Sequence, residues 1–397
     1  MKLLSPIPFL SNPTVGQPFS DPPSFGILTT HPPTACGLAT FSAALATGLS
    51  ADGSEVSVVR VADGSPPSRA VGSSARVVGE LIADSPVSVS AASELLNHSD
   101  VAIIQHEYGI YGGTDGDDVI DVIERLRVPS IVIAHTVLKD PTAHQRSVLR
   151  AVAAAADRVV VMSEAASERL SVNFDVTRRK IVTIPHGATV PKTVAAKHWS
   201  RPTLLTWGLL GPGKGIERVI DAMGSLGHLP GRPRYLIAGR THPKVLAAQG
   251  ETYRNRCIDQ ARRIGVADSV AFDSDYRDVA SLNALAQSAS VVVLPYDSTD
   301  QVTSGVLVDA IASGRPVVAT AFPHANELLA SGAGIVVDHD DPDALVAALR
   351  RVITDPRVAG SMAAEARRLA PTMSWRVVAG AYQRLAQRVL AERPALV

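Results

Sequence analysis

Runs of apolar residues alternate with amphipathic stretches along most of the chain, which predicts alternating strands and helices. The first run is Phe25–Thr29, and the stretch after it carries Phe41, Leu45 and Leu49 at spacings of four, as on one face of a helix. Near-continuous apolar strands between helices indicate parallel sheets covered on both faces. The other predicted strands are 56–61, 101–105, 130–134, 158–162, 181–184, 204–207, 235–238, 270–272, 291–294, 317–319 and 335–337, with helices from about 341 onward.

The alternation stops at residues 190–202, the best candidate for a linker, and then restarts. A chain of 397 residues also exceeds what one core usually holds. The pattern therefore predicts an α/β fold of two tandem doubly wound parallel-sheet (Rossmann-like) domains facing across a cleft, where a ligand is expected. The predicted parts are an extended arm at 1–24, an N-terminal domain at 25–197, a C-terminal domain at 198–372, and a helix at 373–397 that packs back on the N-terminal domain.

A helix is predicted to begin at Thr303, Ser304 and Gly305, after the buried strand 291–294 and a polar loop. A helix that starts over the carboxyl end of a parallel strand presents unpaired N–H groups and a positive dipole end. Such a start is a site for a phosphate. The three small residues let a diphosphate approach the backbone, and Asp309 is placed to reach a sugar hydroxyl beside it.

A second phosphate site is predicted in the glycine-rich loop 208–215, which includes Gly208 and Gly213 and follows another buried strand. Four glycines in eight residues allow a tight turn with exposed amides, and Lys214 stands at the start of the next helix. The spacing is not that of a P-loop. Alone, the loop is equally compatible with a plain connection carrying a solvated lysine. The helix start at Thr303 in the same predicted sheet favours phosphate.

Composition limits the classes of partner and compartment. The 38 basic and 38 acidic residues balance, so there is no electrostatic reason to expect nucleic acid. The two cysteines, Cys36 and Cys257, form neither a metal spacing nor a disulfide framework, which fits a reducing compartment. The first ten residues are too short and too broken by prolines for a signal peptide, and no run reaches membrane-spanning length. We expect a cytoplasmic protein; peripheral membrane contact and oligomeric state stay open.

Polar loops follow the strands of the first half. Gly37 would let a ligand approach the first helix, and the loop 105–113 carries His106, Glu107 and Tyr108. Tyrosines beside acid and imidazole groups suit sugar recognition, although an ordinary helix connection would also fit. His135 follows a strand directly, and His186 ends another. A lone histidine at a strand end is more often structural, but three of them at equivalent edges make a functional role as frequent an outcome as a structural one.

On these motifs the chain resembles a family-4 retaining glycosyltransferase of the GT-B fold (glycosyl transferases group 1). The resemblance runs from about residue 26 to 385 and is strongest at 208–215 and 296–320. It implies that Asp309 holds the ribose of a nucleotide-sugar donor, that His135 contacts the transferred sugar, and that the first domain binds the acceptor. The implied donor-binding residues are Gly37, Gly208, Gly213, Lys214, Thr303, Ser304, Gly305 and Asp309, and the acceptor-binding candidates are His106, Glu107 and Tyr108.

Three departures from the family pattern matter. The family usually has Arg after the first glycine of the loop, where this chain has Leu209. It usually has Glu eight positions before Asp309, where this chain has Gln301, and Asp309 is itself shorter than the usual Glu. Arg240, after the strand 235–238, is the hypothetical replacement for the missing cation. With these departures, the catalytic candidates are His135, Lys214 and Gln301.

The implied reaction moves a hexose, mannose or glucose, from a donor such as GDP-mannose or UDP-glucose to a hydroxyl of a carbohydrate or glycolipid. It requires no metal and no cofactor besides that co-substrate. The Asp273-Ser-Asp275 string is interpreted as a turn. Two alternatives remain: a non-catalytic nucleotide-sugar binding protein, suggested by Leu209 and Gln301, and a sugar-nucleotide epimerase of the same architecture.

Overall fold

The structure is a computed structural model that describes residues 22–34, 36–64, 75–191, 200–275 and 277–393. Most of the predicted arm (1–21) and most of the predicted linker (192–199) lie outside the described residues.

Two parallel sheets organise the described residues, one in each half of the chain. The strands of the first sheet are β1 (Phe25–Thr29), β2 (Val56–Val61), β3 (Arg76–Leu81), β4 (Val101–His106), β5 (Ser130–Ala134), β6 (Arg158–Val161) and β7 (Ile181–Thr183). Those of the second are β8 (Thr203–Trp207), β9 (Arg234–Ala238), β10 (Val270–Asp273), β11 (Val291–Leu294), β12 (Val317–Thr320) and β13 (Gly334–Val337).

Helices connect these strands and cover both sheets. In the first half they are α1 (Gly37–Ala51), α2 (Pro86–Leu96), α3 (Asp118–Glu124), α4 (Ala143–Ala155) and α5 (Glu164–Asn173). They continue as α6 (Ile216–Leu226), α7 (Pro243–Gln249), α8 (Thr252–Arg263), α9 (Val279–Ser288), α10 (Gly305–Ala312), α11 (Pro323–Leu328), α12 (Pro342–Thr354), α13 (Pro356–Leu369) and α14 (Trp375–Glu392).

The strand order is β3-β2-β1-β4-β5-β6-β7 in the first sheet and β10-β9-β8-β11-β12-β13 in the second. All the neighbouring strands pair in parallel. In each sheet the order reverses beside the first strand, where an open parallel sheet receives a ligand at its carboxyl edge. Two α/β domains of this kind confirm the fold class predicted from the apolar runs.

The last helix belongs to the packing of the first domain. In α14, Tyr382 and Leu385 are buried in one cluster with Leu45 of α1. The two helices approach so closely that a Cβ atom at Gly48 would stand 2.9 Å from that of Ala379. The chain thus crosses between the domains twice, once near residue 191 and again at Ser374, which pairs with Ala188.

Strand β3 was missing from the sequence prediction. It lies at the edge of the first sheet, and only Leu81 of its six residues is fully buried. Arg76, Gly79 and Glu80 interrupt its apolar pattern, because an edge strand does not need two covered faces. The other predicted strands are found, with ends shifted by a residue or less.

Candidate functional site

The glycine-rich loop lies against the start of α10. A Cβ atom at Gly208 would stand 3.8 Å from the Cγ2 atom of Val306. The loop is also held on the segment after β11, because the Asp297 N–H donates to the Gly213 carbonyl over 3.0 Å. Gly215 has a φ of +63° and leaves no room for a side chain beside Pro295. The two predicted phosphate sites are therefore adjacent in the structure and form a single candidate site.

Lys214 is the cation that the glycine-rich loop contributes to this candidate site. Its Nζ atom lies 4.5 Å from the centre of the Tyr296 ring, at the distance of a cation–π contact. The Tyr296 ring stacks in turn on Phe322, with 5.3 Å between ring centres. The Tyr296 ring thus gives the Lys214 ammonium a contact at the end of β11.

The start of α10 has two amides to offer an anion. Ser304 caps the helix, since its hydroxyl accepts the Leu307 N–H over 3.2 Å. The Ser304 N–H itself donates to Nδ1 of His324 over 2.8 Å, which corrects the expectation that this amide faces a phosphate. The N–H groups of Gly305 and Val306 have no acceptor in the described part of the chain. They are the donors left for a ligand.

Two half-buried histidines, His135 and His186, line the N-terminal side of the cleft. His186 donates Nδ1–H to the Gly187 carbonyl over 2.7 Å, so its Nε2 atom carries the lone pair and faces Gly305. His135 donates Nε2–H to the Gln105 side-chain oxygen over 2.5 Å. Phe41 meets both imidazoles edge-on, with ring centres 4.9 Å apart in each case. Burial lowers the pKa of His186 to about 4 and, with the nearby His186 and His106, that of His135 to about 3, so both are neutral at pH 7.

Unpaired buried polar atoms gather at the carboxyl ends of β1 and β4, which are neighbours in the sheet. They are both ring nitrogens of His31, the side-chain nitrogen of Gln105 and Nδ1 of His106. Buried polar groups normally have a partner, so a group of them without one marks a place where ligand hydroxyls would bind. His106 was a predicted acceptor residue, whereas His31 and Gln105 were not singled out.

Glu107 and Tyr108 line the same edge, but much of their bonding capacity is already used. Glu107 accepts the Thr136 hydroxyl over 2.6 Å and the Tyr108 N–H over 3.1 Å. Burial raises the pKa of the Glu107 carboxyl. The Tyr108 hydroxyl donates to the Gln145 carbonyl over 3.3 Å.

The other residues predicted to act in catalysis or donor binding differ in their exposure and in their hydrogen bonds. Gln301 donates its amide to the Thr303 carbonyl over 2.9 Å, and the Thr303 hydroxyl is buried without a partner. The protein packed around Asp309 raises its pKa to about 7, although the residue keeps some contact with solvent. Gly37 is exposed at the start of α1, and a Cβ atom there would meet nothing within 4 Å. Arg240 is exposed, and its carbonyl accepts the N–H of Leu210 in the glycine-rich loop.

Lys244 is a cation that the sequence analysis missed. The first turn of α7 packs on the glycine-rich loop, since a Cβ atom at Gly211 would stand 3.0 Å from the Cγ2 atom of Val245. Lys244 extends from this turn across the cleft to 3.1 Å from the Cβ position of Gly109. The pKa of His242 is lowered first by burial and then by the charges of Lys244 and Lys214, so both lysines lie near it. The sequence did carry a signal for Lys244. It follows a polar loop after β9, and that loop leaves the sheet at the same carboxyl edge as the glycine-rich loop.

In the Asp273-Ser-Asp275 string, Asp273 ends β10 and the next two residues belong to the loop after it. Asp273 accepts the Asp275 N–H over 3.0 Å and pairs with Arg277. Among the described helices, none has the length and apolarity needed to cross a membrane.

Two parallel-sheet α/β domains of this kind have the architecture of GT-B glycosyltransferases. The glycosyltransferase family 4 model matches residues 35–190, and the model of glycosyl transferases group 1 matches residues 201–355. The chain belongs to this family of group 1, family-4 glycosyltransferases, which confirms the resemblance seen in the sequence.

Named relatives agree with this assignment. The chain is 28% identical over 241 residues to the D-inositol 3-phosphate glycosyltransferase of Corynebacterium urealyticum, covering 55% of this chain and 54% of that protein; it thus spans about half of that relative. Sucrose-phosphate synthase from Thermosynechococcus elongatus has a TM-score of 0.74 at 18% identity, over 93% of this chain and 100% of the other. Anabaena HepE in complex with UDP and glucose has a TM-score of 0.72 at 17% identity, over 94% and 100%. These two structural likenesses show the fold.

Proposed function

We propose that this glycosyltransferase moves a hexose from a nucleotide-diphosphate sugar to a hydroxyl of a carbohydrate or glycolipid acceptor, with retention of configuration. The proposed donor binding rests on the contact between the glycine-rich loop and the start of α10. A Cβ atom at Gly208 would stand 3.8 Å from the Cγ2 atom of Val306. We infer that one diphosphate contacts both the loop and the helix start. The solved HepE complexes with UDP and UDP-glucose support a nucleotide sugar of this type.

Charge develops on the departing diphosphate as the glycosidic bond breaks. We assign the stabilisation of that charge, where it forms, to Lys214 and to the N–H groups of Gly305 and Val306. Because these groups are fixed before the reaction begins, they need little reorganisation during it. We assign the ribose hydroxyls to the Asp309 carboxylate.

The group that we assign to the transferred sugar is a neutral imidazole. We assign contact with the transferred hexose to His135, which is held by Gln105 and Phe41. A neutral imidazole donates or accepts a hydrogen bond to a hydroxyl without adding a charge beside an oxocarbenium-like transition state. In the retaining reaction, a leaving-group oxygen takes the acceptor proton on the same face of the sugar.

The acceptor is assigned to the unpaired polar atoms at the ends of β1 and β4, with Glu107 and Tyr108 at their rim. Because the Corynebacterium relative is a D-inositol 3-phosphate glycosyltransferase, a phosphate-bearing polyol is a reasonable acceptor class to test alongside plain sugars. GDP-mannose and UDP-glucose are the first donors to test, and overall family likeness favours mannose.

We also assign the second donor cation to Lys244 in preference to Arg240. Leu209 stands where the family carries Arg, so the loop supplies only one positive side chain. Both side chains are exposed. Lys244 arises from a turn that touches the same loop, and its ammonium reaches the Gly109 position on the opposite side of the cleft, whereas the contact of Arg240 with the loop is made by its carbonyl group.

The test begins with a thermal-shift panel of nucleotide sugars, because a ligand at a hundred times its Kd stabilises a protein by about 2.7 kcal/mol. Release of nucleoside diphosphate is then measured with acceptors of each class. Lys214→Met should lower the rate by about a hundredfold or more, whereas Arg262→Met, on the exposed face of α8, should leave it unchanged. Donor binding with no release for any acceptor would favour the non-catalytic alternative, and an altered sugar nucleotide formed from donor alone would favour the epimerase.

A further inference from the structure

Helix α5 of the N-terminal domain is capped by a side chain of the C-terminal domain. The carboxylate of Glu327, in α11, accepts the Glu164 N–H over 2.9 Å and the Ala165 N–H over 3.1 Å. Ser163 caps only the next amide, that of Ala166. A negative carboxylate at a helix start is doubly favoured, by hydrogen bonding and by the helix dipole. The first turn of α5 is therefore completed across the domain boundary.

A second contact joins the middle of α5 to the loop that leads into α10. The Arg169 guanidinium donates to the Asp300 carbonyl over 2.9 Å and to the Val137 carbonyl over 2.7 Å, and it forms an ion pair with the Asp300 carboxylate. The other carboxylate oxygen of Asp300 accepts the Lys139 N–H over 3.1 Å. Arg169 is only 11% exposed, so solvent and salt screen this pair less than a surface pair.

The same loop is anchored by an apolar side chain. Val302 is 4% exposed and is buried in the core of the N-terminal domain with Val137 and Val161, although it belongs to the loop between β11 and α10. Gln301 thus lies between two residues, Asp300 and Val302, that are docked on the other domain.

The two contacts are linked through the predicted donor site. The Gln301 carbonyl accepts the His324 N–H over 3.3 Å, and His324 Nδ1 accepts the Ser304 N–H over 2.8 Å. His324 and Glu327 both lie in α11. The hydrogen bonds therefore run from α5 through Arg169 to the loop, on to α11, and back through Glu327 to the start of α5.

We propose that Arg169 and Glu327 are positioning residues for the transfer reaction: they hold the loop before α10 in its donor-receiving form only while the two domains are closed. This inference rests on the proposed function. Neither residue contacts substrate in it; each acts through Gln301, Ser304 and His324. Because the loop that forms the diphosphate site is docked on the opposite domain, closing the two domains also gives that site its shape.

The experiment compares Arg169→Met and Glu327→Ala with Glu168→Gln in the full chain. Glu168 is the neighbour of Arg169 in α5 and pairs with the exposed Arg178, so it is a matched control away from the domain boundary. Turnover and donor KM are measured with the best donor of the panel, and small-angle scattering is recorded with and without UDP and GDP. We expect kcat to fall by about ten- to a hundredfold in the two test variants, since small misplacements of reacting groups cost that much. We also expect nucleotide-induced compaction to be lost.

A merely structural role would lower the melting temperature and leave kcat and compaction of the folded protein unchanged, which would overturn the inference. Kinetics within about twofold of the control would overturn it as well. If either variant fails to fold, Arg169→Lys and Glu327→Gln decide instead, because each retains part of the contact and should give an intermediate loss. A wild-type chain that binds no nucleotide and releases none refutes the proposed function, whereas an active wild type with unaffected variants refutes only this inference.

Discussion

The Nε2 atom of His186 lies 2.9 Å from the point that a Cβ atom of residue 305 would occupy. The residue at that point is glycine, the first residue of α10. A histidine just after β7, the last strand of the first sheet, and the glycine that begins α10 therefore meet across the cleft, and only the absence of a side chain at residue 305 allows it. Because His186 donates Nδ1–H to its own loop, its lone pair faces the helix start.

Gly305→Ala should weaken donor binding. The added methyl group would force His186 or the helix start to move, and either shift displaces the Gly305 N–H from the diphosphate. We expect a loss of roughly tenfold in donor affinity, about 1.4 kcal/mol, measured by calorimetry. Gly224→Ala is the control: it lies in α6 with open space at its Cβ position, and it should stabilise the protein by about 0.5–1 kcal/mol. Unchanged donor affinity in Gly305→Ala would show that the contact does not bear on the site.

Leu209→Arg tests which cation has replaced the family arginine. If Lys244 fills that role, Lys244→Met should lower kcat/KM by about ten- to a hundredfold, corresponding to about 1.4–2.7 kcal/mol. Adding Leu209→Arg to that variant should restore part of the loss, whereas Leu209→Met should restore nothing. Arg240→Ala should change donor KM little. A large effect of Arg240→Ala with none for Lys244→Met would return the role to Arg240.

Gln301→Glu, which restores the carboxylate usual in the family, should not improve the enzyme. The Gln301 amide donates to the Thr303 carbonyl over 2.9 Å, and a carboxylate at that position would place two acceptors against each other. We expect the free energy of unfolding to fall by about 1–3 kcal/mol in urea titrations and turnover not to rise. Gln301→Met, which removes the amide without adding charge, separates the lost bond from the repulsion. Higher turnover in Gln301→Glu would mean that the departure from the family reduces activity.

Asp309 should make donor affinity depend on pH. Burial raises its folded pKa to about 7, above the value of about 3.9 in an unfolded chain. The carboxylate form, to which we assign the ribose hydroxyls, therefore becomes predominant only as the pH rises through about 7, and donor KM should fall over that range. Between about pH 4 and 7 the folded chain holds a proton that the unfolded chain has lost, so this group's contribution to stability falls as pH rises. Asp309→Asn should remove the inflection in KM, and a flat profile in the wild type would contradict the assignment.

The buried histidines should make the protein sensitive to acid. Burial lowers the pKa of His106 and His186 to about 4, and burial with nearby histidines lowers that of His135 and His324 to about 3. The unfolded chain therefore binds more protons than the folded chain below about pH 6.5, and the free energy of unfolding falls as pH falls from there toward 4. Each such histidine contributes up to about 1.4 kcal/mol per pH unit.

Urea unfolding at several pH values measures this dependence. His106→Gln should reduce the slope, whereas the exposed His228→Gln should leave it as it is. A wild-type free energy of unfolding that stays constant between about pH 6.5 and 4.5 would contradict these histidine pKa values.

The parts of the fold that the sequence predicted are those with local signals. Apolar runs located the buried strands, and the small residues at 303–305 located the start of α10. Edge strand β3 was missed because Arg76 and Glu80 break its apolar pattern. Lys244 was missed because its role depends on α7 folding over the glycine-rich loop. Arg169 lies 131 positions from its partner Asp300, and no local pattern encodes such a pair.

The return of α14 to the first domain has a consequence for synthesis. Tyr382, Leu385 and Val389 fill the same core as β1 and α1, yet they leave the ribosome after the entire C-terminal domain. During translation one apolar face of the N-terminal domain stays partly uncovered until residues 375–392 emerge. The N-terminal domain is therefore synthesised first but completes its packing last. An N-terminal fragment that ends at the domain linker would lack α14 and would leave this apolar face exposed to solvent.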